Sequence, residues 1–158
     1  MKSIIIYATK CGSTEKAAKM LKKNMKGEVD LINIMKENVP DIKCYDNIIL
    51  GASVYAGNIQ KKLVNYINEN LDIILKKRIG LFICAAQSDE KEIEKYLREL
   101  FNPELYNNAL CADTFGYEIH FEKLNFIERF IIKRVKKTRD NVYELKDESI
   151  KKFGEKMC

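Results

Sequence analysis

The stretch Ser3-Ile4-Ile5-Ile6-Tyr7-Ala8-Thr9-Lys10-Cys11-Gly12-Ser13-Thr14 changes character partway along, and the rest of the chain is read outward from it. Ser3 to Ala8 reads as a short strand buried on both faces, because its apolar run is continuous rather than alternating. Glu15 to Lys26 reads as a helix. A strand that enters a helix through a turn bearing hydroxyls and a glycine is suited to hold an anion. The first helical N–H groups lack intrahelical partners, and the helix dipole places partial positive charge there. Gly12 lets the backbone approach a ligand closely, and Thr9, Ser13 and Thr14 carry hydroxyl donors. The alternative is that Ser13 or Thr14 only caps the helix. Neither G-x-x-x-x-G-K-[ST] nor G-x-G-x-x-G is present, which argues against a triphosphate P-loop and a dinucleotide fingerprint.

Beyond this turn, strand and helix patterns alternate. Strands are expected at 3–8, 28–33, 47–53, 79–86 and 109–115, with helices at 13–26, 59–71, 91–101 and 147–157. Asn47 to Ser53 and Ile79 to Ala86 are nearly continuous apolar runs, as central parallel strands are; Glu28 to Asn33 alternates, as an edge strand does. Five strands separated by helices imply an α/β fold: a doubly wound five-stranded parallel sheet, order 2-1-3-4-5, joined by right-handed crossovers. The chain is read as a single domain over residues 1–158. In such a sheet the ligand lies beyond the carboxyl ends of strands one, three and four. Three loops are therefore candidates for the site: Thr9 to Thr14, then Ala52 to Asn58 with Ser53, Val54, Tyr55, Ala56 and Gly57 as its candidate residues, and finally Ala85 to Asp89 with Ala85, Ala86 and Gln87. Tyr55 offers a ring that can stack on a planar ligand, with Gly57 for a tight turn; alternatively it is a half-buried loop residue. Gln87 either meets a ligand or caps the following helix. Cys11 is either a thiol activated by the helix N-terminus or a donor of backbone N–H alone. The single histidine, His120, either orients a substrate or is structural.

Composition excludes other classes. The five cysteines (Cys11, Cys44, Cys84, Cys111 and Cys158) are dispersed without C-x-x-C, and with one histidine this argues against a disulfide framework, a zinc site or a His-based triad. No metal is expected. No apolar run is long enough to span a bilayer, and Met1-Lys2 leads directly into strand residues without a leader pattern, so a cytoplasmic protein is expected. The net charge of +5 resides in one segment: residues 122–139 hold seven basic and two acidic side chains, and the remaining 21 basic and 21 acidic residues cancel. Phe126, Ile127, Phe130, Ile131 and Val135 recur there at helical spacing, followed by Lys133, Arg134, Lys136 and Lys137. A basic amphipathic helix inserted over 116–146 can lie on an anionic membrane surface at the inner face, or meet an acidic partner; the plainer alternative is a helix packed on the domain with a solvated basic side. No aromatic–basic interleaving points to nucleic acid.

IIIYATKCGST, IILGASVYAGNI and RFIIKRVKKTRDNVYELKD resemble segments of flavodoxin-fold proteins, and more narrowly of the menaquinone-dependent protoporphyrinogen IX dehydrogenase family. The first two are generic to flavodoxin-like proteins and the third is the more specific. The resemblance implies FMN as cofactor. Its phosphate would sit on Thr9, Lys10, Cys11, Gly12, Ser13 and Thr14, and its ring between the 52–58 and 85–89 loops. It also implies two-electron oxidation of a porphyrinogen, with a quinone as acceptor at the membrane. Other readings are an electron-carrier flavodoxin that serves redox partner proteins, and a regulator that no longer binds FMN.

Overall fold

A computed structural model describes residues 1–10, 12–55, 57–86, 89–136 and 142–158, with the backbone alone at Lys123, Ile131, Val135 and Lys136. The expected site residues Cys11, Ala56 and Gln87, and the cations Lys137 and Arg139, lie outside the described residues.

The two-residue alternation of the central strands divides the core in two. Ile4, Ile6 and Ala8 of β1 (Lys2–Ala8) join Ile48, Leu50 and Ala52 of β3 (Asn47–Ser53) and Ile79, Leu81 and Ile83 of β4 (Arg78–Cys84) on one face. The intervening Ile5, Tyr7, Ile49, Phe82 and Cys84 line the other. Because both faces are covered, these strands read as unbroken apolar runs. Leu63, Ile67 and Ile74 of α2 (Lys61–Ile74) cover the first face, with Ile93 and Leu97 of α3 (Glu90–Phe101) and Leu105 of α4 (Pro103–Asn108). Ala17, Ala18 and Leu21 of α1 (Ser13–Asn24) cover the second with Ile150 and Phe153 of α6 (Asp147–Lys156).

The five parallel strands run β2-β1-β3-β4-β5, with β2 (Glu28–Asn33) and β5 (Ala109–Thr114) at the edges, as the sequence predicts. Two glycines set the packing of the second face. A Cβ on Gly51 would lie 2.1 Å from the tip of the Phe82 ring, and one on Gly80 would lie 2.9 Å from Phe153. The vacated space lets Phe82 stack on Phe115 at 4.6 Å, with Phe153 edge-on to Phe115 at 5.1 Å.

Two features were not foreseen. α4 is one, a short helix capped by the Asn102 side chain, which accepts from the Glu104 N–H. The other is the frame of the insert. Strand β6 (Gly116–Ile119) leaves the end of β5 and pairs antiparallel with β7 (Val142–Leu145), and α5 (Phe126–Lys136) lies between them. Gly116 makes this departure at φ +76°, where a Cβ would meet the Glu144 carbonyl oxygen at 1.9 Å. The basic helix is thus carried on a two-stranded stem.

Candidate functional site

Register brings the candidate loops together. Ala8 pairs with Ala52, and Ser53 with Cys84, so β1, β3 and β4 end at one edge of the sheet. Beyond β1, Gly12 takes φ +90° as the N-cap of α1, and a Cβ there would meet nothing within 4 Å. The Thr9 hydroxyl accepts from the Gly12 N–H at 2.9 Å and shapes the turn. Neither Ser13 nor Thr14 caps α1; both fall in its first turn and are buried. The two hydroxyls differ sharply. Ser13 donates to the Glu118 carbonyl at 2.6 Å and its oxygen lies 3.1 Å from the Glu118 N–H, so it is committed to β6. Thr14 is 0 % exposed, and among the described residues its hydroxyl has no hydrogen-bond partner of good geometry. The buried Cys84 thiol is its neighbour: burial pushes that thiol up to about 12, and a weak hydrogen bond with Thr14 acts in the opposite direction.

Beyond β3, Tyr55 and Asn58 exchange backbone hydrogen bonds of 2.8 and 3.0 Å, closing a turn in which Gly57 has φ +76°. The Gln60 amide donates to the Ser53 carbonyl at 3.0 Å and its hydroxyl at 3.1 Å, which fastens the loop at its base. The Val54 N–H donates to the Cys84 carbonyl at 3.0 Å. Beyond β4, Ala85 is buried, its N–H donating to the Gly116 carbonyl at 3.0 Å, and Ala86 is exposed. Asp89 caps α3 by accepting from the Lys91 and Glu92 N–H groups.

The lysine of the first loop has a role the sequence did not disclose. Lys10 Nζ lies 3.8 Å over the Tyr55 ring and 3.2 Å from Glu128 Oε1 on α5. Burial alone would lower this ammonium; the hydrogen bond to Glu128 and the neighbouring charges outweigh it and raise its pKa. Glu128 is itself held in a reciprocal cap, accepting from the Asn125 N–H at 3.1 Å while Asn125 Oδ1 accepts from the Glu128 N–H at 2.8 Å. The Asn125-x-x-Glu128 spacing was the available signal for this helix start. Glu118 is a second anchor: Lys16 reaches it at 2.9 Å and His120 Nε2 at 2.8 Å. The insert therefore touches the β1–α1 turn at Lys10 and Ser13 and along α1 at Lys16.

Among the described residues, no cluster of histidine, cysteine, aspartate or glutamate could hold a metal ion. An open groove of about 420 Å³ between β5 and α6, lined in part by Cys111, Asp113, Lys152 and Lys156, includes none of the loop residues above.

The chain is 21 % identical over 145 residues to protoporphyrinogen IX dehydrogenase [quinone] of Escherichia coli (strain K12), spanning 87 % of this chain and 80 % of that one. A short-chain flavodoxin associated with a bacterial microcompartment superposes with a TM-score of 0.67 at 16 % identity, over 99 % of this chain and 97 % of the other. A flavoprotein from Lactobacillus acidophilus NCFM, solved in complex with FMN, gives a TM-score of 0.56 at 16 % identity, over 72 % and 92 % of the respective chains. The family model described as Flavodoxin domain matches residues 4–144, and on that match the chain belongs to the flavodoxin domain family.

Proposed function

We propose that this protein binds FMN at the carboxyl edge of its sheet and acts as an oxidoreductase of the protoporphyrinogen IX dehydrogenase type, with a quinone as electron acceptor. The observation that carries the cofactor is the buried Thr14 hydroxyl in the first turn of α1, which has no hydrogen-bond partner of good geometry among the described residues and only the weakly bonding Cys84 thiol beside it, next to the open space at Gly12. A hydroxyl buried without a partner costs about 1–3 kcal/mol, and an anion oxygen at the helix N-terminus would supply the missing partner. With Ser13 engaged by Glu118, the phosphate would fall to Thr14, the turn from Thr9 to Gly12 and the first N–H groups of α1. The positive end of α1 and the nearby Lys10 ammonium both favour its charge. Tyr55, Val54 and Gly57 on one loop and Ala85 and Ala86 on another would hold the ring. When bound, the flavin supplies the electron-transfer chemistry. The chain would position it, with the Lys10 ammonium held over the ring of Tyr55.

The choice of porphyrinogen and quinone is supported by the similarity to the Escherichia coli enzyme along most of both chains. The test begins with protein saturated with FMN and then desalted. Retention of about one FMN per chain with a shifted visible spectrum is expected; colourless protein sinks the reading. Turnover of protoporphyrinogen with a quinone is then measured. Rapid reduction of the bound flavin by a reductase, without turnover, would assign an electron carrier instead.

A further inference from the structure

The outward face of α5 is left unexplained by the site. At 3.6 residues per turn, Phe126, Ile127, Phe130, Lys133 and Arg134 fall within an arc of about 120°. Glu128 and Ile132 fall on the opposite side. Glu128 is 7 % exposed and is held inward by Lys10 and Asn125, which fixes the rotation of the helix. The apolar residues consequently point to solvent: Phe126 is 87 % exposed, Ile127 67 % and Phe130 56 %. A helix packed on its own domain buries such side chains; this one presents three in neighbouring turns. Lys133 and Arg134 are exposed on the same arc one turn later, the Arg134 guanidinium 5.3 Å over the Phe130 ring. The one acidic residue of α5 is the inward Glu128.

We propose that the outer face of α5 docks on an anionic lipid bilayer, with Phe126, Ile127 and Phe130 entering the headgroup–acyl boundary and Lys133 and Arg134 on lipid phosphates. The charge is complementary to such a surface, and the apolar side chains project from a convex helix, which a bilayer accepts without a matching groove. At about 16 Å the helix is too short to span a bilayer and would lie in the interface plane. None of the helices among the described residues is long and apolar enough to cross a membrane.

The test is flotation of the full chain with vesicles of phosphatidylcholine, alone and mixed with phosphatidylglycerol. Wild type is expected to float with the mixed vesicles. Replacing Lys133→Gln and Arg134→Gln together should weaken partitioning by about fivefold for each charge removed. Phe126→Ser with Phe130→Ser should weaken it by at least about tenfold. The chain has no tryptophan, so Phe126→Trp gives a single reporter whose emission should shift to the blue on the mixed vesicles. These side chains are exposed, so the variants should keep the wild-type far-UV spectrum and melting temperature. Wild type that stays unbound on the mixed vesicles, or variants that float as well as wild type, would overturn the proposal. Flotation reads lipid alone, whereas flavin retention is measured in solution, so this inference and the FMN reading fail separately.

Discussion

Thr14 and Cys84, neighbours beneath the β1–α1 turn, allow the candidate site to be probed one side chain at a time. If the Thr14 hydroxyl is kept for a ligand, Thr14→Val removes it at nearly constant volume, and the two properties part. Without FMN, stability should hold or rise by up to about 1 kcal/mol, because a buried donor with only the weak Cys84 thiol beside it is gone. FMN affinity should fall about tenfold or more, since a hydrogen bond to a charged group contributes about 1.5–3 kcal/mol. Urea unfolding and FMN titration read the two quantities; lower stability with unchanged affinity would make Thr14 purely structural. Cys84 responds to pH. Its folded pKa is raised to about 12 by burial from an ordinary 9.0. Between those values the native state keeps a proton that the unfolded state has lost, so stability falls as pH rises through the window. The slope is at most about 1.4 kcal/mol per pH unit for this thiol. Cys111, also raised to about 12 chiefly by burial, adds a contribution of the same sign. Urea midpoints across the window should decline in wild type and decline less steeply in Cys84→Ala; equal slopes would clear Cys84 of the effect.

Among the elements, the stem of the insert depends on one residue. Gly116 combines φ +76° with a Cβ position 1.9 Å from a backbone oxygen, so Gly116→Ala cannot be absorbed by a side-chain shift. It should destabilise the β6–β7 stem by more than about 1–2 kcal/mol. Hydrogen exchange should then show amides of 116–119 and 142–145 opening while β1, β3 and β4 stay protected; unchanged exchange in the stem would refute this. The same elements show what the sequence can disclose. β1, β3 and β4 were legible because burial on both faces leaves an unbroken apolar run, and β2 because an edge strand alternates. α4 was not, since its six residues bury Leu105 alone and its cap, Asn102, reads equally as a turn. β6 and β7 escaped because four-residue strands that pair only with each other leave almost no periodic trace. In α5 the spacing of Phe126, Ile127 and Phe130 was plain, but periodicity shows that a face exists and not which way it points. Glu128, through its tertiary partner Lys10, decides that.

At the scale of the whole molecule, a neutral α/β body carries a positively charged insert against the edge where its candidate loops meet. Topology made that edge legible in the sequence, and so marked Thr9 to Thr14 and Tyr55. The ties Ser13–Glu118, Lys16–Glu118 and Lys10–Glu128 were not legible, because they join residues more than a hundred positions apart. These ties make the insert a mechanical extension of the β1–α1 turn, and a coupling follows. FMN at one hundred times its dissociation constant should stabilise the native state by about 2.7 kcal/mol. If the turn around Thr14 is ordered by the ligand, Ser13 passes that order to β6, since its hydroxyl bonds the Glu118 backbone in both directions. Hydrogen exchange with and without FMN should therefore show added protection in residues 12–16 and also in 116–119. Ser13→Ala should keep the first gain and lose most of the second. Protection confined to the turn in wild type, with none reaching 116–119, would mean that the insert rides on the site without sensing it.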